Sequence, residues 1–231
     1  MKTNKITGLL FILGALGVFI PYTMLTMTFD YPDILRQDVG LILTKFHQGG
    51  TRLILTWWLF AVLGLPMLIA YKQLGQQLEN KSASVNWLTS IGIIGLVTQI
   101  VGLLRWTFVV PIIANNYYSG NETTKEVSKA MFQVVHQYGG VVLGEHLGQL
   151  FTIIWVIGIT RVLQTTKLVP MWITWLGYGS SFIYLLAQAE LFATVIPSFP
   201  VWDMAGFIGS TLWLIWLIAI GVFLMRNNKS F

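Results

Sequence analysis

Six long stretches of the chain are almost continuously apolar, and the polar residues are concentrated in the segments between them. Each stretch has the roughly 20 apolar residues that a helix needs to cross a bilayer. None shows the period-two alternation of transmembrane barrel strands. The pattern predicts an all-α, polytopic integral membrane protein. It forms one domain over residues 1–231, with six spans at about 7–29, 51–71, 87–114, 141–163, 168–196 and 204–225.

The first apolar stretch follows a short basic segment, as in a secretory signal peptide. It runs from about Thr7 to Phe29, whereas the apolar region of a signal peptide has about 7–15 residues. No small-x-small cleavage site follows it. We therefore expect an uncleaved first span.

Two connections between the spans are long and polar, at residues 30–50 and 115–140. The first is predicted to be a loop. In the second, Thr123 and Glu126 fit a capping box, and Val127, Met131 and Val134 recur at helical spacing. The second connection is therefore predicted to contain a short amphipathic helix that lies at the membrane surface.

The composition agrees with a membrane protein, because 55% of the residues are hydrophobic and only 10% are charged. A soluble domain has about 25% charged residues, so the lipid bilayer is the expected partner of most of the surface. The net charge of +5 does not indicate nucleic-acid binding, because no basic run or basic helix face exists. The chain has no cysteine, which excludes thiol catalysis and thiolate-bound metal or haem.

The distribution of the 14 Lys and Arg residues predicts the orientation of the spans. Eight fall on the side of the N-terminus, five fall on the other side, and Arg105 lies within a span. Because positive residues are enriched in cytoplasmic connections, both termini are predicted to lie inside, in the inner (plasma) membrane. Six tryptophans near the predicted span ends are expected to form an interfacial belt, namely Trp57, Trp58, Trp106, Trp172, Trp175 and Trp202.

Three charged residues lie within predicted spans: Arg105 in span 3, Glu145 in span 4 and Glu190 in span 5. A charge in the bilayer core costs at least about 2.5–3.5 kcal/mol and commonly marks a site or a pathway. At 1.5 Å per residue, all three lie roughly 6–14 Å below the outer boundary. The sequence thus predicts a polar cluster in the outer half of the membrane.

Span 4 is predicted to present a polar arc beside a ridge of small residues. At 100° per residue, Glu145, His146, Gln149 and Thr152 fall on one side of the helix. The ridge consists of Gly140, Gly144 and Gly148. Small residues four apart allow close packing of another helix, in the same chain or in a homo-oligomer.

Arg105 is permanently charged, and a carboxylate is its most favourable ion-pair partner. Glu145 and Glu190 are the candidates. If both pair with Arg105, one negative charge is in excess. A protonated carboxyl, a histidine or a bound cation then has to balance it.

The three histidines, His47, His136 and His146, all map to the outer side. This common side makes them candidate metal ligands, and a pair of them would suffice for haem. No HExxH or similar spacing supports the metal hypothesis. The sequence indicates no specific cofactor.

The segment from His136 to Trp155 reads HQYGGVVLGEHLGQLFTIIW. It resembles the fourth span of a bacterial membrane-protein family known as domain of unknown function 4386. The shared features are the Gly-Glu-His-Leu-Gly motif at residues 144–148 and the tryptophan at 155. The apolar stretch from Gly8 to Gly14 is similar in character. The resemblance implies six spans and draws attention to Glu145 and His146, but it implies no activity.

The expected function is ligand binding or proton relay in an outward-facing polar pocket lined by spans 3, 4 and 5. Its residues are Arg105, Glu145, His146, Gln149 and Glu190. Arg105 supplies fixed positive charge for a small polar or anionic ligand, and one carboxyl titrates under the influence of His146. Two alternatives stay open: a metal- or haem-dependent membrane enzyme, and a structural or accessory protein in which the Arg–Glu cluster fixes helix packing.

Overall fold

The computed structural model describes residues 2–226, with side chains from Asn4 onward, and this part of the chain contains helices and no strand. The helices are α1 (Lys2–Phe29), α2 (Val39–Val62), α3 (Leu65–Leu78), α4 (Val85–Phe108), α5 (Val110–Ser119), α6 (Glu122–Val135), a π-helical segment (His136–Leu147), α7 (Gly148–Thr165), α8 (Met171–Leu186), α9 (Gln188–Ala193) and α10 (Ala205–Arg226). A 3₁₀ turn covers Asp33–Arg36. The all-helical prediction is confirmed.

Five helices are long and apolar enough to cross a membrane, by length and composition, among the described residues. They are Asn4–Phe29, Val39–Leu78, Val85–Ser119, Glu122–Thr165 and Ala205–Arg226. Each contains or matches one predicted span. The chain therefore has the helices of a multi-pass membrane protein.

The remaining predicted span, 168–196, is divided between α8 and α9. α8 has 16 residues, and the chain leaves regular helical geometry at Ala187 before the six residues of α9. An i+3 hydrogen bond from Glu190 N to Ala187 O (3.2 Å) tightens this turn. The count of six spans stays a prediction.

The prediction of a loop at residues 30–50 is wrong for most of its length, whereas the amphipathic helix predicted within 115–140 is present as α6. α2 already begins at Val39, and α6 continues without a break into the π segment and α7. The resulting helix of 44 residues is about 66 Å long, more than twice the roughly 30 Å of a bilayer core. Residues 39–49, α5 and α6 pack on one another, and we call them the helical cap.

Residues 39–49 of the helical cap were missed because their polar side chains resemble those of a loop. In α2, Gly50 has φ +54° and ψ −149°, a left-handed region that glycine tolerates, so the helix kinks there. At the start of α6, the Asn121 side chain accepts a hydrogen bond from Thr124 N (3.0 Å). The predicted capping box is therefore wrong, because Asn121 is the cap and Glu126 pairs with Lys129 instead.

An aromatic cluster joins the helical cap to the bundle. Trp57 and Trp106 stack with ring centroids 4.7 Å apart and an interplanar angle of 11°. Phe29, Phe46 and Phe132 pack edge-on or tilted against this pair. Both tryptophans are fully buried, so their predicted place in an interfacial belt is wrong, whereas the other four belt tryptophans are exposed.

The predicted glycine ridge is confirmed as a close-packing face, and its partner is α4. A Cβ built on Gly102 would lie 2.6 Å from Gly144 Cα, and one built on Gly95 would lie 3.2 Å from Gly148 O. The backbones of α4 and of the π segment are therefore nearly in contact. This approach brings Arg105, on α4, against the π segment.

Candidate functional site

The site is built around the π segment, whose twelve residues include Glu145 and His146. π-helical geometry has i→i+5 bonding and usually occurs as single-turn bulges, often at functional sites. The wider turn changes the angular spacing of the side chains, so the arc predicted at 100° per residue is only approximate here. Gly139 and Gly140 leave the surface of this segment bare where Arg105 lies against it.

Arg105 is buried, with 8% of its surface exposed, and its contacts are with uncharged groups. Nη1 donates to Gly102 O, Nη2 lies 3.4 Å from His136 Nδ1, and the guanidinium carbon lies 5.3 Å from the centroid of the Trp106 ring. Nε has no hydrogen-bond partner. Within the described residues, Arg105 forms no ion pair.

The expected pairing of Glu190 with Arg105 is wrong, because Glu190 pairs with Arg36. Arg36 also contacts Asp33 at 3.3 Å. The side chains of Arg36 and Glu190 are about one-third exposed. Glu190 lies on α9, after the interruption of the helix at Ala187, and there its carboxylate accepts from Arg36 of the connection between α1 and α2.

Glu145 is partly buried and has no hydrogen bond or ion pair to another residue among those described. Its carboxylate and the Arg105 guanidinium are close enough to interact electrostatically, yet they do not reach ion-pairing distance. Two opposite charges thus face the same space without neutralising each other directly. The sequence predicted their proximity but not this gap.

His146 takes part in a hydrogen-bond chain instead of contacting Arg105. Its Nδ1 lies 2.7 Å from Gln188 Oε1, and Gln188 Nε2 donates to Gln149 Oε1 at 2.6 Å. The fourth residue of the predicted arc, Thr152, accepts from Gln99 Nε2 at 2.8 Å. The polar face of this helix is therefore shared between α9 and α4.

A cavity of about 220 Å³ brings most of these groups together. Four of the five residues predicted for a ligand pocket line it, namely Arg105, Glu145, Gln149 and Glu190. His146 is not part of its wall and reaches it only through Gln188 and Gln149. The cavity lies among α1, α2, α4, the π segment and α10, whereas α1, α2 and α10 were not expected to contribute.

The sequence did not single out several polar residues of the cavity wall: Tyr31, Arg36, Gln99, Tyr184, Asp203 and Ser210. Arg36 and Asp203 resemble ordinary connection residues, and nothing in their spacing indicates that they meet. Burial raises the pKa of the Tyr31 hydroxyl well above its ordinary value, so Tyr31 presents a neutral hydroxyl at physiological pH. The Tyr31-Pro32 pair after a span was the one available signal for a turn at this place.

The three histidines have three different environments. His47 stacks on Tyr118 with centroids 4.0 Å apart, His136 stacks on Phe132 at 5.4 Å, and His146 bonds Gln188. No group of three or more His, Cys, Asp or Glu residues between residues 2 and 226 could hold a metal ion. The described side chains therefore give no support to coordination by His47, His136 and His146 together.

Comparison with known proteins identifies one match. The model of a family described as a domain of unknown function (DUF4386) matches residues 6–221. No curated protein and no solved structure matches the chain. The matched range includes every residue that lines the cavity.

Proposed function

Since the chain belongs to the DUF4386 family, whose description assigns no activity, we propose a function from the cavity: it binds a small polar ligand that carries an anionic group. Arg105 contacts the anionic group, and Glu145 accepts a hydrogen bond from a donor on the same ligand. Gln149 and Tyr31 complete the polar wall. The proposal concerns binding and assigns no reaction.

The proposal includes a topology of six spans, with both termini inside and the cavity in the outer half of the plasma membrane. α8 packs against α7 and α10, and each of these belongs to a candidate span. Its 16 residues cover about 24 Å at 1.5 Å per residue, and the six residues of α9 follow after Ala187. These lengths support a sixth crossing. The outer side is then the end of the bundle that carries Arg36 and Asp203.

One observation carries the proposal: the buried cation Arg105 and the carboxylate Glu145 line one cavity and are not paired. Leaving a buried charge without its partner typically costs about 3–5 kcal/mol. A ligand that bonds both groups recovers part of that free energy. A purely structural ion-pair network would instead bring a carboxylate onto Arg105, and the nearest acceptors are the Gly102 carbonyl and His136.

The test is thermal unfolding of the protein in nanodiscs, followed by circular dichroism. The probes are acetate, inorganic phosphate, glycine and phosphoethanolamine. A probe present at 100 times its Kd stabilises the folded state by about 2.7 kcal/mol. We expect at least one probe to raise the Tm of the wild type, and Arg105→Gln to abolish that rise.

The matched control is Thr107→Val, which changes a half-buried neighbour of Arg105 in sequence that does not line the cavity. This variant should respond to the probes as the wild type does. A second functional variant is Glu145→Gln. It should weaken the binding of glycine and phosphoethanolamine more than the binding of acetate, because acetate carries no ammonium group. If Arg105→Gln and the wild type respond alike to every probe, the proposal is wrong.

A further inference from the structure

We infer that the ligand of this cavity is a single-chain amphiphile with a zwitterionic head, which enters from the outer leaflet between α1 and α10. The inference rests on the proposed function and specifies its ligand class. Three independent features carry it: the charges at the polar end of the cavity, the polarity gradient along the wall, and the position of the mouth.

The charges favour a head that carries both signs. Arg36 and Glu190 pair with each other at the polar end of the cavity, where Asp203 also lines the wall, and Arg105 and Glu145 are the deeper unpaired groups. An anionic group alone would satisfy Arg105 and be repelled by Glu145. An anionic group linked to an ammonium offers an acceptor to Arg105 and a donor to Glu145.

The wall of the cavity changes from polar to apolar along the bundle axis. Its polar end is formed by the α1–α2 connection and the start of α10, near Arg36 and Asp203. Further along lie apolar residues such as Val18 on α1 and Trp213 on α10. Val18 is eleven residues before the end of α1 and Trp213 eight after the start of α10, so they lie about 12–16 Å deeper. A lipid of the outer leaflet has the same arrangement, with its polar head at the outer surface and its apolar chain deeper in the membrane.

The mouth of the cavity reaches the lipid-facing surface. Phe19 and Phe207 line the cavity and are also 44% and 42% exposed. At the opposite end of the same helix pair, the backbones meet, because a Cβ built on Gly8 would fall on the carbonyl oxygen of Gly221. α1 and α10 are thus in backbone contact at one end, and at the other the Tyr22 and Phe207 rings stack between them with centroids 6.2 Å apart. In this proposal the apolar chain leaves the cavity beside this stacked pair, past the exposed Phe19 ring.

The volume limits how much of the ligand the cavity holds. About 220 Å³ is less than the roughly 300–1,000 Å³ of pockets that enclose drug-sized ligands. It accommodates a compact head and the first carbons of one chain, and the rest of the chain must extend through the mouth. We therefore expect that a lipid with two acyl chains would bind only if α1 and α10 separated.

Native mass spectrometry of the full chain in detergent tests the inference by titration with dodecanoyl lysophosphatidylethanolamine. We expect one saturating adduct in the wild type and an affinity at least about tenfold lower in Arg105→Gln and in Glu145→Gln, since a charge-assisted hydrogen bond contributes about 1.5–3 kcal/mol. The head alone, phosphoethanolamine, should bind more weakly, because it has no acyl carbons to bury in the apolar part of the cavity. Dioleoyl phosphatidylethanolamine, with two chains, should form no saturating adduct.

A pair of variants tests the route of entry. Gly206 lines the cavity beside the mouth, and a Cβ there would meet only the Ala187 Cβ, at 3.9 Å. The Cβ of Gly206→Phe therefore meets no backbone atom, and its ring adds bulk at the end of the cavity next to Phe207, so this variant should lower the affinity at least about tenfold. Gly179 is exposed on α8, does not line the cavity and has nothing near a built Cβ, so Gly179→Phe should bind as the wild type does.

The outcomes separate this inference from the proposed function. If phosphoethanolamine binds as tightly as the lysolipid and depends on Arg105, the cavity takes a polar ligand and the amphiphile is refuted. If the two-chain lipid binds equally, or if lysolipid binding is unchanged in both charge variants, the inference is wrong, and the soluble probes decide the proposed function independently. If Gly206→Phe and Gly179→Phe lose the same amount of affinity for the lysolipid, lateral entry between α1 and α10 is refuted.

Discussion

Gly140 controls the position of the Arg105 guanidinium, and Gly140→Ala should therefore weaken ligand binding without removing a charge. A Cβ built on Gly140 would fall on Arg105 Nη2 and lie 2.7 Å from Cζ. Carbon atoms in contact prefer about 3.5–4.0 Å, so the guanidinium must move by about 1 Å. A Cβ built on Gly139 would lie 3.4 Å from Arg105 Cδ, which is an ordinary van der Waals contact. Gly139→Ala is the matched control.

The magnitude follows from the bond that is lost. If the displaced guanidinium no longer reaches the anionic group, about 1.5–3 kcal/mol of charge-assisted hydrogen bonding disappears. This corresponds to an affinity lowered by roughly 10- to 150-fold. Both substitutions replace a helical glycine, which by itself adds about 0.5–1 kcal/mol of stability, so the helix effect cancels in the comparison.

The assay is the titration with dodecanoyl lysophosphatidylethanolamine, accompanied by thermal unfolding of each variant. We expect Gly139→Ala to bind within about threefold of the wild type, well under the 1.4 kcal/mol of a tenfold change. Gly140→Ala should bind at least about tenfold more weakly while it still unfolds cooperatively. If the two variants bind equally, or if Gly139→Ala is the weaker one, the position of Arg105 does not determine affinity and the reasoning is refuted.

Three further predictions concern the fold. Gly102→Ala should destabilise the protein by about 1–3 kcal/mol in thermal unfolding, because the new Cβ would lie 2.6 Å from the Gly144 backbone; an unchanged Tm would contradict the close approach of α4. Asn121→Ala should lower the free energy of unfolding by about 0.5–2 kcal/mol, and Thr123→Ala should have little effect. A larger loss of stability in Thr123→Ala than in Asn121→Ala would support the capping box instead. In this cysteine-free chain, a single cysteine at Ser119 should react with a membrane-impermeant maleimide on intact cells, and one at Lys81 only after permeabilisation; equal labelling of both would refute the proposed orientation.

The sequence predicted the membrane helices well because their signal is local. A run of about 20 apolar residues is sufficient evidence for a span, and five of the six runs correspond to candidate spans. The helical cap could not be predicted in the same way, because its stability comes from contacts with distant residues. Phe46 and Phe132, for example, both pack against Trp106, and no periodicity shows that these three rings meet.

The candidate site was predicted in part for a related reason. Arg105, Glu145 and Gln149 are conspicuous because polar groups are rare within apolar runs. Arg36 and Asp203 are not conspicuous, because charged residues are common in connections. Their presence on the cavity wall depends on how α1 and α10 pack, which the apolar patterns of those two helices do not encode. The family resemblance in residues 136–155 is confirmed by the match over residues 6–221.

The stacked pair Trp57–Trp106 gives the protein an internal optical reporter. Two indoles with centroids 4.7 Å apart are close enough for their electronic transitions to couple, and when the transition moments are skewed relative to each other the coupling produces paired circular-dichroism bands of opposite sign. Trp57 belongs to α2 and Trp106 to α4, next to Arg105. Any ligand that shifts Arg105 enough to tilt Trp106 will change the splitting of these bands. Occupancy of the cavity then becomes visible in the ultraviolet spectrum of the unlabelled protein.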